Sequence, residues 1–176
     1  MWNPIEDLRS GRGLALYYYN LACNVPIYLH IDLRDDNEHC TVFWWFASTC
    51  RHLGIGGTHP QPHVADAQRR AMETYRRLEV FYKRGEFYGI NEEIHLHVLS
   101  HENRLVVNIF NLSDNAKLIE GSVPLSEIGI SPEFFFQQSQ RGARFSTSTG
   151  CFRVSCHLPP WGHQMVEFSP LNRCTN

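Results

Sequence analysis

Three carboxylates crowd into the segment DLRDDN: Asp32, Asp35 and Asp36, with Arg34 among them. Paired carboxylates held at different protonation states are the equipment of general acid–base chemistry. The same residues also have structural uses, and those come first. Asp36 or Asn37 suits the N-cap of a following helix, and Arg34 can pair with a neighbouring carboxylate at the surface. His30, on the opposite side of its segment from Ile31, is expected to be packed and hydrogen-bonded. His59 and His63 flank the proline-stiffened PQP, where exposure is expected over metal ligation. His95 and His97 stand two apart and so share one strand face. They would supply two of three ligands of a catalytic zinc site, but no third is identifiable. The expectation for them is the solvent face of a sheet.

Other candidates weaken on inspection. GIGG lacks the Lys-Ser/Thr of a phosphate loop and the full glycine pattern of a dinucleotide site. Trp2, Trp44, Trp45 and Trp161 could stack on sugar rings, but Trp44 and Trp45 are adjacent in a helix and cannot share a face. Asn111-Leu112-Ser113 matches a glycosylation sequon, a weak signal without a secretion signal. None of the six cysteines forms a C-x-x-C pair, which argues against a structural zinc site and for reduced thiols.

The elements that must position these residues follow from periodicity. Apolar groups at Leu14, Tyr17, Tyr18, Leu21 and Ala22 predict a helix over 13–24. Residues 27–33 read as a strand. A helix over about 38–53 is apolar almost all round and must be covered on more than one side. Residues 54–57 read as a short strand. Val64, Ala67, Ala71, Tyr75, Leu78 and Tyr82 predict a helix over about 64–83, with Gly85 as its stop. From Phe87 the period changes to two. EEIHLHVLS and RLVVNIFNLS form a hairpin, and KLIEGSVPL, CFRVSCHLPPW and HQMVEFSP supply further strands. The alternation predicts a core of Ile94, Leu96, Val98, Leu105, Val107, Ile109, Phe152, Val154, Val166 and Phe168. Strand 27–33 is expected to run parallel to 54–57.

Composition bounds the function. The 176 residues are 43% hydrophobic, enough for a real core, and the net charge is −2. No basic face is concentrated as nucleic-acid binding would require. No run is long enough to cross a bilayer. MWNPIEDLRSGRG has no apolar signal core, so the expected location is cytoplasmic.

The order of a helix, IYLHIDLRDDN, an aromatic helix, STCRHLGIGG, a long helix and a sandwich ending LPPWGHQMVEF resembles the C-terminal portion of bacterial glycoside hydrolases. The resemblance is to the α-galactosidase (melibiase)-like kind, a (β/α)8 barrel with a C-terminal sandwich. It implies that 27–33 corresponds to barrel strand seven, 54–57 to strand eight and 64–83 to the closing helix. The expected fold is therefore α/β plus all-β: a partial (β/α) barrel segment over 1–85, then an antiparallel β-sandwich over 86–176. In that family both catalytic carboxylates come from earlier strands, for which this chain has no counterpart, so no residue is assigned to catalysis. What remains are the loops at the C-terminal ends of the last two strands, where barrel enzymes bind substrate. Asp32, Arg34, Asp35, Asp36 and His59 are accordingly the candidate substrate-binding residues. The expected partners are a carbohydrate and either a missing N-terminal barrel part or a second copy, met through an apolar α/β half. No cofactor, nucleic acid or membrane is expected. The alternative is a non-catalytic sandwich module binding a carbohydrate or a protein.

Overall fold

A computed structural model describes residues 29–32, 38–47, 53–56, 59–131, 137–140 and 143–169. The predicted helix over 13–24, and Arg34, Asp35 and Asp36, lie outside these residues. Strand β1 (Leu29–Asp32) pairs in parallel with β2 (Leu53–Gly56), Leu29 opposite Leu53 and Asp32 opposite Gly56. A parallel pair cannot be closed by a tight turn and needs a crossover. Helix α1 (Glu38–Ala47) lies within that crossover.

Helix α2 (Pro62–Arg77) opens with proline at its first position, where no N–H is needed. It buries Val64, Ala67, Ala71 and Tyr75 at the predicted spacing. The predicted single helix breaks at Leu78, whose backbone (φ −102°, ψ 13°) leaves helical geometry. A second helix, α3 (Glu79–Arg84), follows. The Leu78 N–H is shared between the Thr74 and Tyr75 carbonyls, both at 3.1 Å. This tightened turn lets Leu78, Phe81 and Tyr82 all point inward. Gly85 is not the left-handed stop expected of it, for it is extended at φ −73°, ψ 156°. Glycine is required there by contact: a Cβ would lie 2.4 Å from the Phe81 carbonyl oxygen.

Eight strands follow: β3 (Glu86–Asn91), β4 (Ile94–Leu99), β5 (Arg104–Phe110), β6 (Lys117–Pro124), β7 (Gln137–Gln140), β8 (Ala143–Ser148), β9 (Cys151–Leu158) and β10 (His163–Phe168). They form two antiparallel sheets, ordered β10-β5-β4-β3 and β6-β9-β8-β7. The fold is thus α/β plus all-β, with an α/β segment leading into an antiparallel sandwich and no closed barrel among the described residues. All ten predicted core residues are at most 5% exposed. They meet Ile119, Leu125, Ile128 and Phe145 between the sheets.

The first sheet is buried on both faces. Its second face lies under the helices, where Phe43, Trp45, Phe46, Tyr75, Leu78 and Phe81 pack with Val106 and Phe110. One expectation is corrected here. His95 and His97 are not on a solvent face; each is 1% exposed beneath the helical layer. Trp45 and Phe46 are covered by the sheet and α2, as an almost wholly apolar helix requires. Polar contacts tie the layers at the rim. Glu167 of β10 accepts from Arg77 of α2 at 3.0 Å and from Arg104 of β5 at 2.9 Å.

Candidate functional site

The ladder of β1 and β2 ends on the pair Asp32 and Gly56, so the two following loops leave from one edge. The helices that return from those loops begin close together, with Glu38 Oε2 3.5 Å from His63 Nε2. His59, expected to be exposed, is 5% exposed, and its Nδ1 accepts the Gln61 N–H at 3.1 Å. That bond fixes the N-cap residue Gln61, whose own side chain caps nothing in α2. Only the backbone at Asp32 and the ring of His59 are thus described from the predicted substrate-binding set.

The sequence-flagged pair His95 and His97 belongs to a polar seam in the buried face. His97 Nε2 lies 3.2 Å from the Phe46 carbonyl, and its ring packs 4.5 Å from Tyr82. His95 is surrounded by Phe43, Phe87 and Phe110. His163 was not flagged by sequence, because it opens a strand after a proline turn. It stacks 4.7 Å from Phe110 and 5.1 Å from Phe46. Burial pushes His95 and His163 down to about 3 and His97 to about 4, so all three are neutral. Asn108, wholly buried, joins the seam. It donates to the Tyr82 hydroxyl at 3.3 Å, and its Oδ1 is 3.1 Å from His163 Nε2. Burial holds Tyr82 well above the usual phenol range. These groups are uncharged, and Tyr82, Asn108 and His163 form one hydrogen-bonded chain. Among the described residues no three His, Cys, Asp or Glu side chains are placed to hold a metal ion.

Where this seam reaches the end of the sheet, a half-open cleft of about 340 Å³ forms between α1 and the turn entering β10. His39, Val42 and Phe43 line it from the helix, Phe110 and Leu112 from the end of β5, and Pro159 to His163 from the turn. Trp161 sits in that turn with φ +55°. Its indole N–H donates to Asp114 at 2.9 Å and its backbone N–H to the Ser113 carbonyl at 3.2 Å. Asn111, the sequon asparagine, is 1% exposed. Its amide donates to the carbonyls of Asn115, Leu158 and Pro159, which pins the turn and leaves the side chain no role as a glycan acceptor in the folded chain. A second, more polar groove of about 470 Å³ crosses the outer face of the other sheet, among Glu120, Ser122, Arg144 and Arg153.

No protein-family model matches the chain, and no curated protein matches its sequence. Among solved structures the fold is related to that of glycoside hydrolases. The crystal structure of an Anoxybacillus alpha-amylase, described as a new glycosyl hydrolase subclass, superposes with a TM-score of 0.50 at 9% identity, covering 92% of this chain and 43% of that one. AmyP in complex with maltose gives 0.39 at 17% identity over 64% of this chain and 22% of AmyP. An AmyP variant with maltotriose gives 0.39 at 17% identity over 63% and 22%. The chain therefore spans less than half of the amylase and about a fifth of AmyP.

Proposed function

We propose that this chain is the C-terminal part of a glycoside hydrolase-like protein acting on carbohydrate, of the α-galactosidase-like kind, and catalytically incomplete by itself. Residues 1–85 would be the end of a barrel and 86–176 its sandwich. The observation that carries this is the β1–β2 ladder. A parallel pair belongs to larger sheets covered on both faces. Among the described residues neither strand of the ladder pairs with a third at its outer edge. Earlier barrel strands would satisfy those edges.

Glycoside hydrolysis needs two carboxyl groups across the sugar, about 5 Å apart for retention and about 6.5–9.5 Å for inversion. Two strands build one wall of such a pocket and leave the rest to water. That weakens every contact meant for an oxocarbenium-like transition state. Sugar binding at Asp32, Arg34, Asp35, Asp36 and His59 is what the wall could retain, through charge-assisted hydrogen bonds to hydroxyls. The partner would be the missing barrel part or a second copy meeting the ladder edges.

The test is to assay the purified chain on aryl α- and β-glycosides while measuring its mass in solution. No turnover is expected. Clear turnover by a monomer, abolished by Asp35→Asn or Asp36→Asn, refutes the reading. The alternative, a self-contained sandwich module binding a carbohydrate or protein, is favoured by one finding. The aromatic side chains described on α1 are buried against the sandwich, so this helix needs no outside cover there.

A further inference from the structure

We propose that the cleft beside Trp161 is a saccharide subsite, in which one neutral pyranose ring stacks on the indole and a ring hydroxyl bonds to His163. The proposal rests on the carbohydrate reading above but places binding away from the ends of β1 and β2.

The indole is built as a platform. A bulky residue at positive φ is strained, and such strain persists only where surrounding contacts over-determine it. Here the Trp161 N–H is held by Ser113, the indole N–H by Asp114, and the next N–H, of Gly162, by the Pro159 carbonyl at 3.0 Å. With its one side-chain donor used, the indole has only its apolar ring left to offer. A ring already fixed loses little rotamer freedom on binding.

The cleft selects its occupant by size and charge. Its volume of about 340 Å³ is at the low end for small-molecule sites, which suits one ring rather than a chain. Among the described lining residues none is Lys, Arg, Asp or Glu, a lining that suits a neutral ligand better than a charged one. Apolar walls with a few polar groups match a sugar's C–H face and hydroxyl rim. His163 supplies one such group. Its Nε2 faces the Asn108 carbonyl oxygen and so carries the hydrogen, which leaves Nδ1 an acceptor. Burial keeps that ring neutral, with a pKa of about 3, so the acceptor persists across physiological pH.

The experiment titrates the full ¹⁵N-labelled chain with methyl α-D-glucopyranoside and methyl α-D-galactopyranoside and follows the indole N–H signals. A saturable shift of the Trp161 signal is expected. Trp161→Gly removes the platform and also relieves the left-handed strain, so the fold is kept and strand amide signals should verify it. Val42→Trp fills the cleft and leaves the indole in place. Read from backbone amide shifts, each variant should weaken binding about tenfold, the worth of one aromatic stacking contact. Arg69→Ala and Lys83→Ala, on exposed helix faces away from both proposed sugar-binding regions, should leave it unchanged. Binding that survives both cleft variants but is lost in Asp35→Asn overturns the subsite and leaves the carbohydrate reading standing. Absence of binding by either glycoside to the unaltered chain overturns both.

Discussion

Acidification should strip the helical layer from the sandwich well above the pH at which carboxylates titrate. His95 and His97 are each 1% exposed and held by burial at about 3 and about 4. In the unfolded chain both return to about 6.5. The sign follows from proton counting. Above pH 6.5 neither state binds these protons and stability is flat with respect to them. Between pH 6.5 and about 4 the unfolded state takes up protons that the folded state refuses, so stability falls as pH falls. Each histidine contributes a slope of up to about 1.4 kcal/mol per pH unit. At pH 5 the two together have removed about 4 kcal/mol, a large fraction of the 5–15 kcal/mol typical of a domain. His163, likewise pushed down to about 3 by burial, adds to the same fall.

The assay is urea unfolding at constant ionic strength from pH 7.5 to pH 5.0, followed by tryptophan fluorescence. His97→Gln is the internal control, because glutamine can still donate to the Phe46 carbonyl but does not titrate. It should lower stability at pH 7.5 by about 1–3 kcal/mol and reduce the slope between pH 6 and 5 by about a third. A stability that is level from pH 7.5 to 5.0 would refute the reasoning, as would an undiminished slope in His97→Gln.

Other perturbations have definite expected outcomes. The Trp45 indole N–H is buried with no hydrogen-bond partner among the described residues. Trp45→Phe should therefore change stability by no more than about 1 kcal/mol, whereas Trp45→Ala should cost about 3–5 kcal/mol in urea denaturation. Gly85→Ala should cost at least about 2 kcal/mol, because the new Cβ would collide with the Phe81 carbonyl rather than with a movable side chain. Asn111→Ala removes the donor to three carbonyls that pin the turn before β10. A loss of about 2–3 kcal/mol is expected, with increased hydrogen exchange at Gly162.

The sandwich core was legible because its signal is purely local. With a period of two, the face shared by Leu96, Val107 and Val166 can be read from alternation, and register does the rest. What covers the other face is not local. His95 and His97 alternate correctly with the core, but nothing in IHLHVL tells whether water or a helix lies above them. The answer was held in Phe43, Phe46 and Tyr82, which arrive from distant parts of the chain. The helix over 62–77 was legible from its apolar spacing, while the break at Leu78 depends on packing against the sheet. Gly85 was recognised as a boundary for the wrong reason, since its requirement is a close carbonyl rather than a positive φ. His163 and Asn108 were invisible as a pair, being 55 residues apart.

The polar seam explains how a helical layer with an almost wholly apolar helix finds one orientation. Apolar contacts between Phe43, Trp45, Phe46 and the sheet supply burial energy but tolerate sliding. Directional bonds do not. The Phe46 carbonyl is fixed over His97, Tyr82 over Asn108, and Arg77 over Glu167 at the rim. These three contacts tie α1, α3 and α2 in turn to the same sheet. A slide of α1 by one residue would lose the bond to His97 and leave a buried ring nitrogen without its partner. Fixing α1 also fixes its first turn, where Glu38 meets His63 beside the strand ends and His39 lines the cleft. The buried histidines thus act at a distance on the proposed sugar-binding regions, by setting where one helix begins.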